Sequence, residues 1–360
     1  MLDDNFLWDH NAIYFLQPSS DQVISIRRLL RENDPKLKLV AIMLPGERRH
    51  NGLGGYDQIV NISRYEEIPP FVNVVPGGAS ATEALLKFRD ITIGKITMRR
   101  NALAVYDKPL FMQHCQHHNL PVPSTYGTLA EVPPENYPIF YKQKHEQGGG
   151  VRGVAHSPQD IPSEELESLI FQEYVVSKGT YGVGFIADNG VLKVALAHYE
   201  KESQPKVGGS AIIVEHINSA RLIELTAKVI SSLNYSGWGL AEYKFCNKRK
   251  DFLFMEINAK FWASCEFAFR NEPKFLEKMF NVEGKKEEID SMYFVNRALA
   301  RNIFFTIFKA NKFFKSKKII YPGIFKSAAH GILPKNTITV LKKIKIFSSV
   351  KNRYIHKQNP

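Results

Sequence analysis

The 360 residues predict an α/β chain in three parts: a parallel α/β opening, a strand-rich α+β middle and a basic C-terminal segment. Three observations carry that prediction. Two short apolar runs near the N-terminus flank a polar helical stretch, the pattern of a βαβ unit. Two strand-like runs near residue 250 flank a short polar turn, the pattern of a hairpin. Charge is also uneven: residues 291 to 360 hold 15 Lys and Arg with no Asp or Glu, so the formal +12 of the chain leaves −3 for everything before them.

Composition narrows the class. With 44% hydrophobic and 23% charged residues the chain reads as globular rather than disordered, and its length allows two or three domains. Cys115, Cys246 and Cys265 form no CxxC pair, which argues against a zinc spacing or a disulfide framework and fits a reducing cytoplasm. The opening MLDDNFLWDHN is acidic and lacks the apolar run of a signal peptide. No stretch reaches the roughly 18 apolar residues of a spanning helix. The expected location is cytoplasmic, with the inner face of a membrane as a place of attachment for the basic segment.

Taken in order, Ala12 to Gln17 and Lys38 to Met43 read as buried strands with a helix over Asp21 to Glu32 between them, and Tyr56 to Ile62 and Val72 to Val75 continue the unit. A nicotinamide site would need GxGxxG after the first strand, where this chain has LQPSSDQV; that reading fails. Gly52, Gly54 and Gly55 read as turn residues. Asp107 caps a helix ending near Asn119, followed by a Pro-punctuated strand. His114 and His118 stand i,i+4 on it, yet no interposed Glu supplies a metalloprotease base, and surface histidines explain them. Ile139 to Lys144 reads as a strand leading into HEQGGGVRGV, a glycine loop fit either to approach phosphates or to form a hairpin tip. Leu169 to Val176, Gly182 to Ala187 and Leu192 to His198 read as strands, and Ser219 to Leu233 as a helix.

FLFMEINAKFW, Phe252 to Trp262, poses a problem for any purely structural strand. Glu256, Asn258 and Lys260 are two apart and share one face. An edge strand with its polar face in water would tolerate them. So would a cation site. AEYKFC, Ala241 to Cys246, precedes the five-residue turn NKRKD, and if Cys246 faces Phe252 then Glu242 faces Glu256. Opposed like charges destabilise a sheet, and a cation between them reverses the sign. Two carboxylates with the Asn258 amide oxygen suit Mg²⁺ or Mn²⁺.

The succession of Asp107-Lys108, PIFYK (Pro138 to Lys142), the glycine loop, QEYV (Gln172 to Val175), AEYK and MEINAKFW resembles the ATP-grasp superfamily, in its carboxylate–amine ligase and carbamoyl-phosphate-synthetase-like branch, over about Asp107 to Ala268. The resemblance implies a Rossmann-like pre-ATP-grasp domain over 1–105, an ATP-grasp domain over 106–290 and a basic tail over 291–360. It implies that Lys108 and Lys142 contact ATP phosphates, that the loop with Gly148, Gly149 and Gly150 closes over the triphosphate, and that Gln172, Glu173, Tyr174 and Val175 form the adenine hinge. In that hinge Glu173 and the Val175 backbone would take the adenine edge. Glu242, Glu256 and Asn258 would hold magnesium, and Lys260 would face the reacting centre. Gln143 stands where the family commonly has Pro, leaving Lys144 as a competing phosphate ligand, and Lys260 stands for the usual Arg. No acidic residue for the ribose follows QEYV. His198, Lys201, Lys206 and the Gly208-Gly209-Ser210 turn fit either the acceptor site or an ordinary surface loop.

The implied activity is ATP-dependent ligation, Mg²⁺ assisted, in which a small-molecule carboxylate is activated as an acylphosphate for attack by an amine. The alternative is a non-catalytic nucleotide-binding module attached through its tail. In that tail, Arg297, Arg301, Lys309 and Lys312 fall within an arc of about 120° at helical spacing, interrupted by Phe294, Phe305 and Phe308. Basic residues among aromatics suit an anionic membrane surface; a basic helix packed on the body fits as well. Nucleic acid is not the expected partner.

Overall fold

The computed structural model describes residues 6–47, 53–145, 150–204, 209–301 and 316–321. The chain divides into two compact units, Met1–Met292 and Tyr293–Pro360. The boundary expected near residue 105 lies inside the first.

Strands β1 (Ile13–Leu16) and β2 (Leu39–Met43) are buried along their whole length, as continuous apolar runs are when both faces of a parallel sheet are covered. Helix α1 (Asp21–Asn33) crosses between them and buries Val23, Ile26, Leu29 and Leu30. Strand β3 (Gln58–Asn61) adds to β2 in parallel, but β4 (Asn73–Val75) returns to the far side of β1, giving the order β3-β2-β1-β4. Helix α2 (Ala79–Phe88), the hairpin β5 (Ile91–Ile93) and β6 (Ile96–Met98), and a 3₁₀ stretch Arg100–Tyr106 follow. Helix α3 (Lys108–His117) starts at Asp107, whose side chain accepts from the Leu110 N–H at 3.1 Å, the bond of an N-cap.

The next segment builds an antiparallel sheet of four strands, β7 (Thr125–Tyr126), β8 (Ile139–Gln143), β9 (Arg152–Ala155) and β10 (Leu169–Glu173), in the order β7-β10-β8-β9. Ile139, Tyr141, Leu169 and Phe171 close a small core with Val132, Ala155 and Ile161. Alternation leaves Lys142 and Gln172 on the opposite face. A larger antiparallel sheet contains β11 (Thr180–Asp188), β12 (Val191–Gln204), β13 (Ser210–His216), β14 (Gly237–Cys246) and β15 (Asp251–Asn258), with neighbours β15-β14-β11-β12-β13. Helix α4 (Ala220–Ser232) buries Leu222, Leu225, Val229 and Ile230, and its Thr226 Oγ1 bonds Tyr243 Oη of β14 at 2.8 Å. Tyr243 therefore faces α4, and its neighbours Glu242 and Lys244 face the other way, toward the small sheet. Helices α5 (Cys265–Asn271) and α6 (Lys274–Phe280) follow the large sheet.

The structure narrows two alternatives that the sequence leaves open. β12 runs on to Gln204, so His198 and Lys201 belong to a strand rather than a surface loop: His198 is fully buried and Lys201 pairs with Glu215 across to β13. In the second unit, helix α7 (Val295–Arg301) carries Arg297 packed over the Phe294 ring at 4.0 Å and buried, so this guanidinium is not part of a solvent-facing basic arc. Asn296 holds the Tyr321 backbone from both sides, donating at 3.0 Å and accepting at 2.8 Å. The rest of the expected tail helix and most of the basic residues lie outside the described residues. Among those described, no helix is long and apolar enough to cross a membrane.

Candidate active site

The β14–β15 turn is one residue shorter than expected. Cys246 faces Asp251, not Phe252, so four residues, Asn247–Lys250, make the reversal, with Lys250 at φ +54°. Continued unbroken, that ladder would misalign the two glutamates by one residue. Between the pairs Tyr243–Phe254 and Glu242–Glu256, however, β15 carries one extra residue, Met255, and this bulge shifts the register. Glu242 and Glu256 are partners because of the bulge.

Around them the two sheets meet. Lys142 of β8, 5% exposed, places Nζ 3.1 Å from Glu256 Oε2, and Lys108 at the start of α3 places its own at 3.8 Å. Asn258 donates through Nδ2 to Glu242 Oε1 at 3.0 Å and Glu256 Oε1 at 3.4 Å. Burial pushes the Glu242 carboxyl up to about 8, and the charges of Glu256 and Glu200 add to the effect. Burial also works against ionising Glu256, but the Lys142 and Lys108 ammonium groups overcome it and hold that carboxyl down at about 2. One carboxylate is thus fixed as an anion and the other keeps a proton that a cation could displace. Turning the Asn258 amide over would add a third hard oxygen, so the donors fit Mg²⁺. Among the described residues no group of three His, Cys, Asp or Glu could hold a metal; the His114 and His118 rings lie 4.4 Å apart, tilted by 41°, and His114 bonds Ser232 at 3.1 Å.

The other expected residues separate. Lys260 is half-buried just past Asn258, in a small pocket with Lys108, Tyr106 and Glu256. Tyr106 fixes this segment by donating to the Ala259 carbonyl at 2.8 Å. Lys144 does not join Lys142: its Nζ bonds the Glu167 carbonyl at 2.8 Å on the exposed side, because β8 ends at Gln143 and alternation ends with it. Gln172 is fully buried, donates to Thr125 Oγ1 at 3.0 Å, and has an Oε1 without a donor. The Glu173 carboxylate is occupied by Arg249 of the β14–β15 turn and by the Ser124 N–H, so its side chain is committed within the protein rather than to a ligand. Tyr174 is half-buried, and Val175 packs on Cys246 and Leu253 of the hairpin. Gly150 lies against the Gln143 side chain; Gly148, Gly149, Lys206 and Gly208 lie outside the described residues.

No family model matches the chain, and no curated protein matches it in sequence. Solved structures match it in shape. Biotin carboxylase from Campylobacter jejuni does so with TM-score 0.58 at 18% identity, over 76% of this chain and 71% of that one. Phosphoribosylglycinamide synthetase from Anaerococcus prevotii gives 0.52 at 12% identity over 72% of each. Pyruvate carboxylase from Rhizobium etli gives 0.57 at 16% identity, over 73% of this chain and 27% of that longer one. The chain has the ATP-grasp fold.

Within the ATP-grasp cleft, reading along the sequence missed three side chains. Arg249 bonds both Glu173 and the Val122 carbonyl at 3.1 Å, so one turn residue grips the small sheet where the chain enters and where it leaves. Lys244 shares the face of Glu242, which period-2 alternation could have shown. Glu200 lies buried on β12 opposite Thr180, and only the strand order β14-β11-β12 brings it near Glu242.

Proposed function

We propose that the chain is an ATP-dependent ligase that joins a small-molecule carboxylate to an amine. The observation that carries this reading is the Glu242–Glu256–Asn258 cluster on one hairpin of an ATP-grasp fold, met from the facing sheet by Lys142. In the proposed reaction the carboxylate oxygen attacks the γ-phosphorus of ATP, the bond to the β-phosphate oxygen breaks, and ADP leaves an acylphosphate. The amine then attacks the acyl carbon, inorganic phosphate departs and the amine nitrogen loses a proton. Both steps move negative charge rather than require a protein nucleophile, so placement and charge neutralisation carry the catalysis.

Each residue has a part in this reading. Glu242, Glu256 and Asn258 would hold Mg²⁺, which when bound neutralises the terminal phosphates and orients them. Lys142 and Lys108 stand on the same carboxylate and would turn to phosphate oxygens as the nucleotide enters. The hinge backbone at Glu173 to Val175 and the unpaired Gln172 oxygen would meet the base, whose exocyclic amine is a donor. Lys260, across the carboxylate pair from the hinge, would steady the acylphosphate.

Incubation with ATP, Mg²⁺, pools of carboxylates and hydroxylamine tests the reading, because hydroxylamine intercepts an acylphosphate as a hydroxamate. Carboxylate-dependent hydroxamate and ADP are expected. Nucleotide binding with no hydroxamate from any pool would favour the non-catalytic module. Attachment of the tail to an anionic surface is a separate proposal, supported by the 15 basic and no acidic residues after Asp290.

A further inference from the structure

Among the described residues, four lysines face the cleft, and the structure does not treat them alike. Lys108 and Lys142 both engage Glu256. Lys260 stands on one side of the carboxylate pair, beyond Asn258. Lys244 stands on the other. It follows Glu242 by two residues on β14 and therefore shares its face, about 7 Å further along the strand in the direction of the hinge. Its register partner Leu253 packs against Val175 of that hinge.

Lys244 is half-buried, and among the described residues no carboxylate lies within ion-pair distance of it. A cation held in such a place gains nothing from the protein that matches the water it gave up. An anionic ligand would supply the missing partner. The order along the cleft floor is then hinge, Lys244, the Glu242–Glu256 pair with Lys142, and Lys260.

A nucleotide with its base at the hinge and its terminal phosphates at the carboxylate pair must pass over Lys244 with the part that joins them. We propose that Lys244 binds the α-phosphoryl group of the nucleotide, a contact made by ATP, ADP and AMP alike, and so sets nucleotide affinity independently of the phosphate that is transferred. This rests on the nucleotide reading of the cleft. It gives Lys244 a role distinct from that of Lys142, which serves the phosphates next to the metal.

The test is a calorimetric series with ATP, ADP, AMP and adenosine, Mg²⁺ present, on the full chain and on Lys244→Met and Lys244→Arg. For Lys244→Met we expect roughly a tenfold or greater loss for ATP, ADP and AMP in equal measure and no loss for adenosine, with Lys244→Arg recovering most of it, as a charge-assisted contact requires. Thermal unfolding of both variants near the wild-type midpoint establishes that the loss is local. A loss confined to ATP overturns the proposal and puts Lys244 at the transferred phosphate. An equal loss for adenosine overturns it in favour of sugar or base packing, and unchanged affinities make Lys244 a solvated surface lysine. A wild-type chain that binds none of the four ligands refutes the nucleotide reading itself, an outcome distinct from the other three.

Discussion

Glu242→Gln isolates the electrostatics of the carboxylate pair. In the metal-free chain Glu242 holds its proton to about pH 8, whereas the ordinary value for an unfolded chain is 4.5. Because the folded value is the higher one, the stability tied to this proton is complete below about pH 4.5 and is lost as pH rises through about 8. Glutamine imitates the protonated carboxyl, cannot ionise, and keeps an Oε1 for the Asn258 bond now made at 3.0 Å. The variant should therefore equal wild type near pH 4.5 and outlast it at higher pH, with a limiting slope of about 1.4 kcal/mol per pH unit. Water in the half-open cleft screens part of this, so the expected advantage near neutral pH is about 1–2 kcal/mol. Groups common to both chains cancel, including His198, whose buried imidazole is pushed down to about 4. Mg²⁺ should reverse the order, since it displaces the proton in wild type and finds one charge fewer in the variant. Urea unfolding across this pH range, with and without Mg²⁺, reads both effects. Parallel stability curves without metal, or equal stabilisation by Mg²⁺, would refute the reasoning.

Lys142→Met should lower stability by roughly 2–4 kcal/mol, because it strips Glu256 of its nearest ammonium and leaves Lys108 at 3.8 Å and the more distant Lys260; a thermal shift corresponding to less than about 0.5 kcal/mol would mean the pair is not formed. Arg249→Ala should cost less than about 1 kcal/mol, since the pair with Glu173 is partly exposed. It should nonetheless speed amide hydrogen exchange at Glu173, whose N–H bonds the Ser124 carbonyl at 2.8 Å, and weaken nucleotide binding; unchanged exchange would sink Arg249 as a hinge clamp. Gly182→Ala should destabilise by about 1–3 kcal/mol, as a Cβ there would sit 2.6 Å from the His198 ring and 3.0 Å from Leu240 Cδ1; a neutral effect in urea unfolding would show that the ring can move aside. The 360-residue chain should co-sediment with anionic vesicles, less with neutral ones and less in high salt, and indifference to lipid charge would remove the tail proposal.

Elements whose signals are local could be read along the chain. The first βαβ unit was legible because each strand is a short apolar run and α1 has a polar face. The Asp107 cap needs only one side chain and the N–H three residues on. The order of QEYV, AEYK and MEIN along the chain pointed to the fold that solved structures under 20% identical to the chain share with it. Tertiary structure decided everything that depends on which strands lie side by side. β4 returns to β1 instead of extending β3, β13 pairs with β12, and Glu200 reaches the neighbourhood of Glu242 only through the strand order of the large sheet. Periodicity tells which face of a strand a side chain takes, not which strand comes next. The glutamate pair combines both kinds of information: alternation placed Glu256 and Asn258 on one face, while the Met255 bulge aligned Glu256 with Glu242. The two carboxylates then part ways because Lys142 and Lys108 arrive from distant segments and both choose Glu256. Coulomb interactions act through space, so the protonation of each group depends on neighbours that the chain assembles only when it folds.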